Sequence, residues 1–248
     1  MDFHAWGSYE TTLKDTTLII PIVSTANLPQ LAVDLLISSL QLETVGILDS
    51  HFLHPVVGGR EDGQDGVTTP LEVYGRQGFP FHLIQQRSPV IKSRKRECVD
   101  ALFKFITNSG FSAVLILSGL DLSNRVDAHM YTPAYHLIPT QISPASIASS
   151  PLSLITSTIP PFSTSSTTEP VLPSSGITPL ILKSLPSTQF PPTALILQYV
   201  LEGDNREDAS LLATIVARVI GSQPFAWKEP ESWMQGLFGT PHDQTLFG

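Results

Sequence analysis

The sequence predicts an α/β fold: a mostly parallel central sheet flanked by helices. Three observations carry this. Short runs rich in Ile, Val and Leu, such as 16–23 (TTLIIPIV) and 113–117 (AVLIL), read as strands buried on both faces. Segments of helical periodicity at 27–40 and 94–108 alternate with them. Strand, helix and strand follow one another from Thr16 within about thirty residues, the length of a βαβ unit.

The first strand, 16–23, runs into a short turn at Ser24, Thr25 and Ala26. Asn27 is expected to cap the next helix, because its side chain can accept a free backbone N–H. Pro29 suits a first turn, and Gln30 completes an approximate capping box. Leu28, Leu31, Leu35 and Leu36 share one face to about Leu40, and Val33 and Ile37 widen the stripe nearly all round. Such a helix needs cover beyond the sheet, expected here from a partner. A strand at 44–48 follows. Residues 54–70 (HPVVGGREDGQDGVTTP) are a loop by composition. Two strands, 71–74 and 81–85, are joined by a Gly/Pro turn. The helix at 94–108 carries Val99, Leu102, Phe103 and Ile106 on one side and ends at Gly110. The strand 113–117 then leads into Ser118-Gly119 and a polar loop through Asp127.

Beyond residue 140 the composition shifts. From 141 to 192, 30 of 52 residues are Ser, Thr or Pro, and Glu169 and Lys183 are the only charges. The extreme part, 141–171, is expected to be a disordered insertion in one domain spanning 1–248, since few large apolar groups offset its chain entropy. Order should return near Ser175-Gly176-Ile177. Leu195, Ile196, Tyr199 and Val200 have helical spacing, broken by Glu202-Gly203-Asp204-Asn205. A further helix spans 207–220. Trp227, Trp233, Phe238 and Phe247 are too many aromatics for a wholly free tail, so part should dock, with 240–248 left flexible.

A net charge of −8 over 248 residues argues against nucleic acid, whose phosphates reward basic surfaces. A single cysteine, Cys98, excludes an intramolecular disulfide and a Cys-cluster zinc site. The apolar runs fall short of a membrane span, and the N-terminus lacks a signal-peptide pattern, so an intracellular protein without membrane contact is expected.

No cluster compels a catalytic reading. Arg94, Lys95 and Arg96 beside Cys98 are cations of the kind that lower a thiol pKa, yet a lone helical Cys is commonly packing. His51 and His54 form an H-x-x-H pair without further ligands at metal-site spacing. Gly58-Gly59 lacks the G-x-G-x-x-G pattern of a dinucleotide cradle. Ser118-Gly119 follows a strand, where doubly wound folds bind ligands, but no partner base is identifiable. The basic run 92–96 reads best as a solvated first helical turn. No catalytic, cofactor or metal residue is assigned.

Several segments, in order, resemble the PAC2 family of proteasome assembly chaperones. They are PIVSTANLPQLAVDLLISSL (21–40), HPVVGG (54–59), LEVYG (71–75) and the run 87–127. SGITPLIL (175–182), LILQYVLEGDNREDA (195–209) and WKEPESWMQGLFG (227–239) follow. The EGDN tetrad with the W-x₂-P-x₂-W tail is the most specific element. Residues 141–171 match nothing in the family pattern.

The resemblance implies a nucleoside-phosphorylase-like fold without that active site, no enzymatic activity, no cofactor, and action in the cytoplasm and nucleus. It implies a heterodimer with proteasome assembly chaperone 1 that scaffolds the ring of proteasome α subunits and prevents premature ring pairing. Related chaperones anchor through a C-terminal hydrophobic–tyrosine–any tripeptide in a pocket between α subunits. Leu246, Phe247 and Gly248 match it with Phe in place of Tyr, which keeps the ring and loses the hydroxyl. Two other readings stand beside this one: a phosphorylase- or hydrolase-like enzyme using Ser118-Gly119, and a general scaffold docking through the insertion.

Overall fold

The computed structural model describes residues 1–6, 13–60, 66–163, 170–222 and 226–235. The strands are β1 (Phe3–Ala5), β2 (Thr17–Pro21), β3 (Glu43–Leu48), β4 (Gly58–Gly59), β5 (Val67–Thr68), β6 (Leu71–Gly75), β7 (Phe81–Gln86), β8 (Ala113–Asp121), β9 (Ala134–Leu137) and β10 (Thr193–Val200). The helices are α1 (Leu28–Leu40), α2 (Lys95–Ser109), α3 (Pro144–Ala148), α4 (Ile155–Thr158), α5 (Thr178–Ser184) and α6 (Arg206–Val219).

Eight strands form one sheet in the order β1-β3-β6-β7-β2-β8-β10-β9, and β4 and β5 form a small separate ladder. The centre, β7-β2-β8-β10, is parallel. Antiparallel strands finish both sides, β6, β3 and β1 on one and β9 on the other. The expected strand–helix–strand unit exists, but its strands are not neighbours: β3 lies beyond the β6–β7 hairpin. From β2, α1 therefore crosses the sheet in one direction, and from β7, α2 crosses in the other. Right-handed crossovers then put the two helices on opposite faces. The pairing agrees, with α1 packed on α6 and α2 on α5. Val33 is fully buried and Ile37 half-buried. The extra cover for α1 thus comes from α6 of the same chain, and the expected partner is not needed for it.

Three expectations are corrected. Asn27 makes no side-chain cap; Ala26 and Asn27 both adopt left-handed conformations in a 3₁₀ turn, and the Gln30 amide turns to the Pro21 carbonyl (3.4 Å). The Ala26 N–H is instead taken by the Glu202 carboxylate at 2.9 Å. Second, 193–200 is a strand, not a helix. Every residue of β10 is buried, and a strand covered on both faces has no period of its own.

Third, residues 141–163 are packed rather than disordered. Ile142, Ile147, Leu152, Ile155, Ile159 and Phe162 are all buried, and the Ser143 hydroxyl caps α3 by accepting from the Ala145 N–H. Most of the few large apolar groups of the segment point inward, with Leu154 left exposed, and α4 lies on α6. Its last residues run along β9. The His136 N–H donates to Pro160 O (2.9 Å) and the Phe162 N–H to His136 O (2.7 Å). His136 Nδ1 donates to Ile159 O (2.7 Å), and the His129 ring stacks on Phe162 with centroids 4.1 Å apart. Residues 164–169 of the proposed insertion lie outside the described residues.

Candidate functional site

Ligands of parallel sheets bind beyond the carboxyl ends of the strands. Here those ends, at β2, β8 and β10, are filled by the chain itself. Ser118 and Gly119 belong to β8 rather than to a loop. The 24–27 turn lies directly on Gly119, whose N–H donates to Ser24 Oγ at 2.9 Å. A Cβ at this position would come within 2.8 Å of the Thr25 carbonyl, so only glycine allows the approach.

A second segment seals the same end. The Thr25 N–H donates to Ser174 O at 3.2 Å. The Thr178 hydroxyl donates to Ser118 Oγ (2.9 Å), which in turn donates to Ser175 O (3.4 Å). Gly176 sits at φ +66°, where a Cβ would meet Val23 O at 2.1 Å. Ser118 is fully buried, its hydroxyl is committed, and no base contacts it among the described residues. A serine so placed is not presented as a nucleophile, which counts against the enzyme reading built on Ser118-Gly119.

A cavity of about 620 Å³ remains outside this seal, lined by Ser24, Thr25, Asp121, Ser123, Ser174, Leu201 and Glu202. Its charged lining residues are both acids. Asp121 is held ionised by hydrogen bonds from the Ser123 side chain and N–H and from Asn124. Such a lining repels a phosphate rather than cradling it.

The EGDN tetrad and the Arg206 that follows it tie distant parts of the chain together. Glu202 holds the 24–27 turn through Ala26. Asn205, buried, donates to Gly203 O (2.9 Å) just before α6. Arg206 donates to the carbonyl of Trp233 at 2.9 Å, and Trp233 is itself buried. Trp227 Nε1 donates to Thr214 Oγ1 on α6 (3.2 Å), and the Lys228 N–H donates to Ser39 Oγ on α1 (2.8 Å). The aromatic tail therefore docks across α1 and α6 as expected, through Trp227 and Trp233. Phe238 and Phe247 lie outside the described residues.

Beside that tail a groove of about 460 Å³ is lined by residues of α1, the β4–β5 hairpin, Tyr74, Arg87 and 228–232. A buried polar network floors it. Glu72, with no exposure, accepts from Tyr74 OH (2.6 Å), the Thr69 N–H (2.9 Å) and Arg60 Nη1 (3.4 Å). Gln85 Nε2 donates to Asp34 Oδ1 at 2.6 Å, and Arg87 lies 3.7 Å from the same carboxylate oxygen. Burial, followed by the negative charge of Glu72, pushes the Tyr74 phenol up to about 12. The network reads as structural: Arg60 pins the β4–β5 hairpin to the sheet. Sequence reasoning missed it, although an acid inside the apolar strand LEVYG was the available signal.

The remaining candidates resolve simply. Cys98 is buried, and burial raises its thiol to about 11 despite the nearby cations. His51 pairs with Asp49 (2.7 Å), while His54 contributes its carbonyl to the Ser88 hydroxyl. Among the described residues no group of three or more His, Cys, Asp or Glu is arranged to hold a metal ion. Gly58-Gly59 is β4, paired with β5. Arg94 bonds Glu97 and the His51 carbonyl and lies over the Phe52 ring. Among the described residues no helix is long and apolar enough to cross a membrane. The tail residues Leu246, Phe247 and Gly248, with the whole of 240–248, lie outside the described residues.

Fold and site together define an α/β scaffold whose ligand-binding end is plugged by its own turns. The PAC2 family model matches residues 18–220, and the chain belongs to the PAC2 family. Proteasome assembly chaperone 2 of Xenopus tropicalis is 29% identical over 260 residues, covering 97% of this chain and 98% of that protein. The human protein of the same name is 27% identical over 262 residues, with the same coverage. Among solved structures, Pyrococcus furiosus PbaA, an archaeal homologue of proteasome-assembly chaperone, superposes with a TM-score of 0.64 at 15% identity, over 86% of this chain and 84% of that one. P. furiosus PbaB, an archaeal proteasome activator, gives 0.59 at 12% identity, over 90% and 89%.

Proposed function

We propose that the chain is a non-enzymatic chaperone of proteasome core-particle assembly. In this reading it works in the cytoplasm and nucleus as a heterodimer with proteasome assembly chaperone 1, scaffolds the α-subunit ring and keeps rings from pairing prematurely. The observation that carries it is the near full-length similarity to proteins named proteasome assembly chaperone 2. The plugged strand ends favour binding over turnover. A charged fraction of only 15% suits a surface committed to protein contacts, since interface cores are depleted in Lys, Glu and Asp.

Leu246, Phe247 and Gly248 would anchor the chain in a pocket between α subunits, the Phe ring filling an apolar slot. Affinity capture of the tagged chain from cells, read by mass spectrometry, should return α subunits and the partner chaperone in comparable amounts. Recovery of neither would overturn the reading. Removing residues 246–248 should weaken ring binding and spare the heterodimer; unchanged ring affinity would dispose of the anchor.

A further inference from the structure

β1 is the outermost strand on its side of the sheet, and its outer edge is open among the described residues. Antiparallel pairing alternates, so the bonded positions fix which groups face outward. The Trp6 N–H donates to Val45 O, and the Asp49 N–H to Asp2 O, both toward β3. Phe3 and Ala5 therefore aim their N–H and C=O groups away from the sheet. Natural proteins cover, charge or shorten such edges because they template pairing with another chain.

Among the described residues this edge is neither charged along its length nor covered, and its Trp6 end meets the β4–β5 hairpin, which carries an apolar knob of exposed valines, through Arg60. Val57 is 75% exposed, Val67 49%, Val56 41% and Trp6 37%. The knob is held in place by Arg60, which lies over the Trp6 ring (5.5 Å to its centroid), donates to Val67 O (3.3 Å) and ends on buried Glu72. Exposed valines on a hairpin fixed by a buried ion pair form a pre-set surface. The carboxylates flanking it, Asp2 and Asp49 at the Phe3 end and Glu43 at the far end of β3, outnumber the cations there: the Met1 ammonium, turned to the Ala101 carbonyl, and Arg60, buried on Glu72. Asp49 is kept ionised by the His51 side chain.

We propose that β1 accepts an added strand from a partner protein, one carrying apolar side chains for the valine knob and basic side chains at both ends for Asp2, Asp49 and Glu43. The charge argument selects this occupant over a second copy of the chain, which carries −8 itself. The inference requires only a protein strand and stands whether or not proteasome assembly is the setting.

The test uses the full chain and two synthetic ten-residue peptides of alternating valine and threonine, flanked by two lysines or by two glutamates at each end. Amide hydrogen exchange is followed residue by residue. The lysine-flanked peptide should slow exchange at Phe3 and Ala5 at least about tenfold and leave His136 unchanged, and should bind at least about tenfold tighter than its glutamate counterpart. Ala5→Pro removes one outward donor without touching the bonds to β3, and should abolish that protection. Val57→Asp, away from the backbone ladder, should weaken the same binding if Ala5→Pro disturbs folding.

Three results would overturn the proposal. One is slow exchange of Phe3 and Ala5 in the free chain, since the edge would already be covered. Another is equal binding of the two peptides. The third is no protection of those amides by the lysine-flanked peptide.

Discussion

At one edge of the sheet, β9 has its outward groups taken by residues 160–162 of the same chain, under a stack of Phe162 on His129. At the other, β1 holds to β3 by three residues and presents Phe3 and Ala5 outward. Both are short antiparallel strands capping one parallel core. The difference lies in what the sequence places next to them. A Ser/Thr/Pro-rich segment makes a cover for β9, because its widely spaced apolar residues, Ile159 and Phe162 among them, are buried and hold residues 160–162 along the strand. Nothing comparable adjoins β1 among the described residues. One edge is built for stability and the other for contact.

The sharpest way to break this comparison is Phe162→Ala. Removing a buried ring that holds the cover should cost about 3–5 kcal/mol in denaturant unfolding. A cost near zero would mean that the cover is incidental and the two edges are alike.

The strands between the edges provide a control through His82, whose Nδ1 is hydrogen-bonded with the Thr16 hydroxyl at 2.9 Å. Burial lowers its pKa to about 4 from an ordinary 6.5. The unfolded chain therefore binds this proton first, so stability falls as pH drops from about 6.5 toward 4, by roughly 3 kcal/mol in all. His82→Gln should flatten that part of the acid-side slope in melts taken at stepped pH, with both edges intact.

Gly46→Ala probes the open side. A Cβ there would collide with the Phe3 ring and come within 2.7 Å of the His4 carbonyl, so β1 should lift from β3. The expected loss is about 1–2 kcal/mol, with faster amide exchange confined to residues near β1. A loss as large as that of Phe162→Ala would erase the distinction between the edges. The smallest effect belongs to Cys98, on the helix whose preceding turn follows β7. With its thiol raised to about 11, alkylation at pH 8 should be much slower in the native chain than in denaturant, and equal rates would contradict its burial.

The alternation of strand and helix was legible because 16–23, 44–48 and 113–117 are apolar runs of strand length and 94–108 has a clean amphipathic face. Gly110 ended its helix as expected, in the left-handed conformation. β10 was not legible: Leu195, Ile196, Tyr199 and Val200 fit helical spacing by accident in a strand buried throughout. The cover over β9 was hidden because its apolar residues are diluted by serines and threonines, and their burial depends on α6, made later in the chain. The strand order was out of reach too. Nothing local tells β3 to sit beyond the β6–β7 hairpin.

At the candidate site, the sequence singled out the right places for the wrong chemistry. Ser118-Gly119 and the EGDN tetrad do meet near the strand ends, but as a plug. Gly119, at the expected ligand position, and Gly176 both admit the chain's own carbonyls. Glu72 and Arg60 lie twelve residues apart on a strand and a loop, so only the folded hairpin makes them a pair.

The position of β10 also sets a timetable. Among the described residues it is the last strand to be translated, yet it separates β8 from β9 in the finished sheet. The Ala26 N–H waits for a carboxylate 176 residues further along. A nascent chain that has emerged only to residue 192 therefore holds β8 with one flank unpaired and its first turn unlatched, and the fold closes late, over long loops. The chain is thus a late assembler, its central sheet incomplete until most of its own synthesis is over.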